Sequence, residues 1–517
     1  MITTPIPRNV AASASLALAV LGSLSSCTTT PGSSRTEASK TSTAVDVRTL
    51  AKVEESGILP LASGTDAFGA RLALARKAQR TLDLQYYIWH GDETGKLLAG
   101  AAVEAAERGV KVRILIDDIG TAADDRRMVI LDSHPNVEVR LFNPVSLRSA
   151  RMLGALLEFK RVNRRMHNKA FIVDDRVAII GGRNIGDEYF GAADDMNFAD
   201  FDVVARGPVV AGVVDAFGLY WSSGASVPIT KVSHEQVTAA DLQQGMQELL
   251  AHRDALKTTP YAQTIRSGRL AAARLDDIPF LKGQAMVVTD NPEKVATRPT
   301  DNATHLAPQL RGIVAATQKE LLLVSPYTIP RREGVKWFAD LEKRGVRVRL
   351  VTNSLGSNDV VAVHAGYAKY RKPLLDHGVE IYELKAAPGS PGKGRSGSGF
   401  PSLSLSSSSK AGLHAKTFVF DRRWVFVGSL NLDPRSLDLN TEIGMIIDCP
   451  ALAEQMLTRI DSALPDTTYQ LGRTSTGLLW ISRENGQTVT ATSEPGSTFA
   501  TRFKSRLVSL LPIEGQL

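Results

Sequence analysis

The chain has 517 residues, with 61 Lys+Arg against 54 Asp+Glu for a formal charge of +7, and 6% aromatic residues. Such a length predicts two to four domains with sizeable cores, and a basic bias this mild is compatible with anionic lipid, nucleic acid or simple solubility. Two cysteines, Cys27 and Cys449, exclude a disulfide framework, and Cys449 reads as a small buried apolar residue.

At the N-terminus, Arg8 precedes an apolar and small-residue run from Ala11 to Leu24 that reads as a secretory signal. The run is shorter than the roughly 20 apolar residues of a spanning helix. It ends in Leu24-Ser25-Ser26-Cys27, which resembles a bacterial lipoprotein lipobox with Cys27 as the acylated residue. An ordinary cleaved signal peptide is the alternative. By resemblance to sorted lipoproteins, Thr28 after the cysteine implies a lipid anchor in the outer membrane of a bacterial cell envelope, facing the periplasm. Residues 28–56, rich in Thr, Ser, Gly and Pro without apolar period, predict a flexible tether.

Globular patterning follows, with a helix predicted over Asp66–Gln79, a strand over Leu82–Trp89, a helix over Gly95–Arg108 and a buried strand over Val110–Asp117. The segment Arg148–Arg165 mixes Met152, Leu153, Leu156, Leu157 and Phe159 with basic residues, a pattern that fits either an anionic membrane surface or a solvated helix with one core face. Ala387–Gly412, dense in Gly, Pro and Ser, predicts a loop, either an inert insertion or a cover over a site mouth.

The chain repeats itself. Arg108-Gly109-Val110-Lys111-Val112-Arg113 returns as Arg344-Gly345-Val346-Arg347-Val348-Arg349, and Leu321 to Tyr327 echoes Leu82 to Tyr87. His167-Asn-Lys169-Ala-Phe-Ile-Val-Asp174 and His414-Ala-Lys416-Thr-Phe-Val-Phe-Asp421 share the form H-x-K-x4-D. At the same interval each is followed by a glycine-led turn, Gly181 to Asn184 and Gly428 to Asn431, and then by an acid, Asp200 or Glu442, eight residues before a proline. Alternation along a strand puts His167, Lys169 and Phe171 on one face, and the second copy likewise. A lone H-x-K is weak evidence, whereas two complete copies with the same downstream Asn make coincidence untenable.

The duplicated H-x-K-x4-D with its following G-S/G-x-N resembles the phospholipase D superfamily over nearly all of the chain after the tether. Longer strings, Leu82 to Tyr87, Arg165 to Lys169, Gly181 to Tyr189 and Leu511 to Leu517, look like the type C branch of bacterial cardiolipin synthases. Gly182 departs from the pattern, because many relatives carry serine there; Ser429 supplies the hydroxyl in the second copy.

The expected fold is α/β: two homologous lobes about a pseudo-twofold, each a mixed sheet flanked by helices, with the active site at the lobe interface. The lobes are assigned to residues 57–265 and 266–470, preceded by the signal (1–27) and tether (28–56) and followed by an extension (471–517). A phosphodiester needs donors on several sides, a nucleophile and an acid in line with the leaving oxygen. Lys169 and Lys416 offset phosphoryl charge, Asn184, Asn431 and Ser429 bind phosphate, and Asp200 and Glu442 are candidates to fix the imidazole tautomers. Superfamily resemblance implies His167 as nucleophile and His414 as acid, then base. Asp174 and Asp421 stand about 23 Å from the histidines along a strand, which predicts a scaffold role. A metal between His167 and Asp200 is disfavoured because the lysines repel a divalent cation, so neither metal nor cofactor is expected.

The substrates implied are a glycerophospholipid and an alcohol or lipid acceptor at a membrane surface. Nucleic acid is not expected, and one chain with both motifs implies a monomer. Cardiolipin-forming phosphatidyl transfer is the leading reading. The alternatives are phospholipase D hydrolysis with water as acceptor, a nuclease of the same mechanism, and a non-catalytic lipid-binding lipoprotein, against which both intact motifs argue.

Overall fold

The structure is a computed structural model that describes residues 44–120, 124–193, 197–268, 277–358, 360–386, 411–511 and 513–517. The signal segment with Cys27, and residues 387–410 of the Gly/Ser-rich stretch, lie outside the described residues.

The helices of the first lobe start where local capping dictates. Ser63 and Asp92 accept from the backbone N–H groups of Asp66 and Gly95, opening Gly64–Lys77 and Glu93–Glu107. The repeated Arg-Gly-Val is a helix stop: Gly109 and Gly345 take φ of +91° and +81° directly after the helices Glu93–Glu107 and Arg331–Lys343. Each stop releases the chain into a strand with an apolar face, Lys111–Asp117 or Arg347–Asn353.

Eighteen strands form one mixed sheet among the described residues. In the first lobe Val137–Phe142, Lys111–Asp117 and Thr81–Tyr86 run parallel, and Ala170–Val173, Val177–Gly181, Asp202–Arg206 and Glu55–Leu61 continue antiparallel. The second lobe repeats that order with Glu380–Leu384, Arg347–Asn353, Glu320–Val324, Thr417–Phe420, Trp424–Gly428, Ile443–Asp448 and Leu281–Thr289. The halves join where Glu55 to Ile58 pairs antiparallel with Gln284 to Leu281. Two outer cores lie under the flanking helices of each lobe. A third core packs Met166, Ile172, Phe217 and Trp221 against Val419, Val427, Met445 and Leu457. That shared apolar layer holds the two motif strands as one unit, which the chemistry between them requires.

The expected boundaries shift. The fold begins before residue 57, since Val45 and Leu50 are buried in the second lobe's core and Val45 N–H donates to the Gln309 carbonyl at 2.8 Å. The helix Pro260–Ser267 spans the 265/266 boundary and the strand Thr468–Arg473 spans 470/471. The segment read as an extension is a continuation of the second sheet, because Thr468–Arg473 pairs with Glu380–Leu384 and carries Leu478–Glu484 and Gln487–Ala491 outward.

Candidate active site

Each H-x-K segment precedes its strand rather than lying within it: the strands begin at Ala170 and Thr417. Extended geometry is kept by bonds to the opposite lobe. His167 N–H donates to the Thr441 carbonyl at 2.8 Å and Thr441 N–H to the Arg165 carbonyl at 2.9 Å, while His414 and Ala415 N–H both donate to the Ala199 carbonyl at 2.8 and 3.0 Å. Because Thr441 precedes Glu442 and Ala199 precedes Asp200, this backbone lacing carries each carboxylate to the other lobe's histidine. Glu442 Oε2 lies 2.8 Å from His167 Nδ1, and Asp200 Oδ2 lies 2.6 Å from His414 Nδ1. The two orienting acids are therefore exchanged between lobes, a pairing that equal spacing left open.

The lysines are buried beside the rings. Lys169 Nζ donates to the His167 carbonyl at 2.7 Å and lies 5.5 Å over the Tyr87 ring, and Lys416 Nζ donates to the His414 carbonyl. Edge contacts fix each imidazole plane, Tyr87 on His167 and Tyr189 on His414, both at 5.1 Å. Asn184 accepts from Ile88 N–H and donates to the Tyr189 hydroxyl at 3.0 Å, so part of its amide is spent on holding that ring. Asn431 is buried, and its Oδ1 has no hydrogen-bond partner among the described residues.

Two expectations change here. The Ser429 hydroxyl, expected on phosphate, accepts from Ile443 N–H at 3.0 Å and donates to the Ile443 carbonyl, which pins the turn to the residue directly after Glu442. Gly182 loses no phosphate ligand: a Cβ there would fall inside contact distance of Asp200 Oδ1, so the missing side chain makes room for the carboxylate. Asp174 and Asp421 stay away from the reacting groups. Each sits in left-handed backbone, φ +53° and +51°, and accepts three N–H groups at the far end of its strand, from residues 79–81 and 318–320 respectively.

Sequence reading missed the pair that anchors the motifs. Asp117 Oδ2 accepts from Met166 N–H at 2.9 Å and its other oxygen binds Arg165, and Asn353 Oδ1 accepts from Leu413 N–H at 2.9 Å. These are equivalent positions, and extending the Arg-Gly-Val repeat by four residues reaches both. Arg183 and Asp290 were also missed. Arg183 Nη2 donates to the Asp200 carbonyl at 2.7 Å, whereas Asp290 accepts from Glu442 N–H at 2.8 Å while paired with Lys294.

That difference makes the site electrostatically lopsided. Burial pushes Glu442 up to about 7, against the opposing charge of Lys169. Burial also penalises charged Asp200, but His414, Lys416 and Arg183 outweigh it and hold that carboxyl below its ordinary value. Both imidazoles are depressed by burial and then by the lysines, His414 to about 3 and His167 well below its ordinary value. Lys169 is lowered by burial. Two imidazoles, two buried ammonium groups and two unlike carboxyls can bind a phosphodiester and move one proton in a fixed direction.

Residues 72–215 and 310–464 match the family described as cardiolipin synthase, PLD-like domain. The chain belongs to this phospholipase D-like family. Over 89% of its length it is 41% identical to cardiolipin synthase C of Escherichia coli (strain K12), 96% of which is covered. It is 30% identical over 88% of its length to an uncharacterized protein of Helicobacter pylori (strain ATCC 700392 / 26695), 89% of which is covered. Among solved structures, phosphatidylserine synthase of Haemophilus influenzae Rd KW20 matches with a TM-score of 0.54 at 15% identity, over 82% of this chain and 90% of that one, a likeness of fold. Membership makes the chain an enzyme of the phospholipase D phosphatidyltransferase type. No helix among the described residues is long and apolar enough to cross a membrane.

Proposed function

We propose that the chain transfers a phosphatidyl group from one glycerophospholipid to an alcohol on a second, forming cardiolipin-type product through a phosphohistidine. The observation that carries this reading is the pair of carboxylate bonds to Nδ1, which put the proton on Nδ1 and leave each Nε2 as the reacting nitrogen. His167 Nε2 attacks phosphorus, the bond to the departing alcohol breaks, and His414 Nε2 delivers the proton to that oxygen. In the second half His414 takes the proton of the acceptor hydroxyl, its oxygen attacks phosphorus, and the phosphorus–nitrogen bond breaks.

The assignment of roles follows from the unequal carboxyls. Both imidazoles are depressed first by burial and then by the two ammonium charges, and a bound phosphodiester offsets the second of these. Asp200, held ionised, then stabilises an imidazolium on His414 better than Glu442, at about 7, does on His167. Lys169, Lys416 and Asn431 stabilise the phosphoryl oxygens, with Asn184 contributing the amide hydrogen that Tyr189 leaves over. A lipobox-acylated Cys27 would keep the enzyme at the outer membrane.

Mass spectrometry of lipids after incubating purified protein with phosphatidylglycerol, alone and with other phospholipids or glycerol, tests the reading. Cardiolipin with release of glycerol is expected. Phosphatidic acid as the sole product would replace transfer by hydrolysis.

A further inference from the structure

The fold leaves two helical segments with their apolar side outward. In Arg151–Leu157 and Phe159–Val162, the side chains of Met152, Leu153, Leu156, Leu157 and Phe159 are exposed, Leu156 and Leu157 by 71% and 74%. In Phe499–Ser509 and the turn after it, Phe499, Phe503, Leu507 and Leu510 follow the helical period as one exposed stripe, Leu510 by 80%, while the opposite side packs on Val361–Ala368. Apolar stripes of this kind on a folded chain mark an interaction surface.

The residues that follow the two segments are bonded to each other close in sequence to His167. Asn163, four residues before it, donates to Gln516 Oε1 at 2.6 Å, six residues beyond Leu510. Arg435 ties the two together: its guanidinium donates to the Asn163 carbonyl and to the Gln516 carbonyl, and its backbone N–H donates to the Leu517 carbonyl at 2.8 Å. Arg435 is also one of the charges felt by His167 and Tyr87. The charge around the stripes is one-sided. Arg148, Arg151 and Arg165 are spent on Asp117, Asp118 and Asp125 inside the fold and Arg161 is paired with Glu158, but Lys160 and Arg506 are exposed, with Lys504 half-exposed. Glu158 is the only acid in the first segment and the second has none.

We infer that the two segments are a single docking face for an anionic phospholipid bilayer, with the apolar side chains seated among acyl chains, the cations at the headgroups and the path to His167 opening between them. Cation-flanked apolar stripes suit the headgroup boundary rather than another protein's dry core. The inference rests on the reading that the substrate is a membrane lipid, and it adds which face takes it up. A lipid anchor at Cys27 would hold the enzyme near a membrane without orienting it; this face would do the orienting.

The test uses the full chain carrying Phe503→Trp, reconstituted in vesicles of phosphatidylglycerol and phosphatidylethanolamine with plain or brominated acyl chains. Emission above that of the parent protein should fall about two-fold or more with brominated chains. In parallel, Leu156→Ser with Leu157→Ser, and Phe499→Ser with Leu507→Ser, should each lower kcat/KM on vesicle lipid about ten-fold or more while turnover of micellar short-chain phosphatidylglycerol stays within about two-fold. Unquenched emission overturns the inference, as does a dimer in sedimentation that these substitutions dissociate, which would make the face a contact between copies. Quenching without any phosphatidyl transfer would sink the proposed activity and leave the docking face standing.

Discussion

Replacing Asp200 by Asn tests whether the unequal carboxyls direct the proton. The change keeps size and an acceptor oxygen for His414 Nδ1–H, so ring orientation survives, while the charge that favours an imidazolium is lost. With the side chain fully buried and the bond 2.6 Å long, a charge-assisted hydrogen bond is worth on the order of 1.5–3 kcal/mol. At about 1.4 kcal/mol per decade, that predicts roughly a 10- to 100-fold slower delivery of the proton to the departing alcohol. Single-turnover release of glycerol from phosphatidylglycerol should slow by that factor. Release of nitrophenol from an aryl ester of phosphatidic acid, a leaving group that needs no proton, should stay within about three-fold. Gly182→Ala, which pushes a methyl group into the Asp200 carboxylate, should reproduce the pattern. Equal slowing of both substrates would refute the acid role of His414.

Glu442 gives the opposite behaviour. Burial raises it from about 4.5 to about 7, so the fold favours its protonated form; that stabilisation is complete below about 4.5 and gone once pH passes about 7. Glu442→Gln should therefore melt close to wild type at pH 5 and above it at pH 8.5, and a variant less stable than wild type at pH 8.5 would contradict the buried-acid account. Lys169→Ala and Lys416→Ala should each cost on the order of 10²-fold in rate, comparable to losing an oxyanion donor, with wild-type activity persisting in excess EDTA; inhibition by chelator reversed by a divalent ion would overturn charge neutralisation by lysine. Cys27→Ala should remove acylation and release protein from membranes on fractionation, with activity on detergent-dispersed lipid retained; absence of lipid on wild-type Cys27 would defeat the anchor.

Much of the site was legible because it is written twice. Duplication turned a weak H-x-K into a strong signal and located both lysines, both asparagines and both acids. Strand rise alone set Asp174 and Asp421 apart from the chemistry, and they now appear as acceptors for three backbone N–H groups each. Period-2 reasoning put both H-x-K segments in strands, whereas cross-lobe bonds, to Thr441 for the first and to Ala199 for the second, keep them extended outside those strands. Spacing along one chain carries no information about which lobe's acid meets which histidine, so the exchange of Asp200 and Glu442 was invisible. Gly182 read as a lost hydroxyl because the carboxylate it makes room for lies eighteen positions on. The start of the fold was misplaced since two apolar residues, Val45 and Leu50, show no period in a Thr/Ser-rich stretch, although both are buried.

The central claim is a phosphohistidine on His167, and rapid quenching tests it most directly. Protein mixed with phosphatidylglycerol labelled at phosphorus is stopped in alkali within one turnover, digested and mapped. The account predicts label on the peptide carrying His167, abolished by His167→Ala and long-lived in His414→Asn when the aryl substrate is used. Label on His414 would reverse the roles, and label on neither histidine, with inversion at phosphorus over the whole reaction, would contradict covalent transfer.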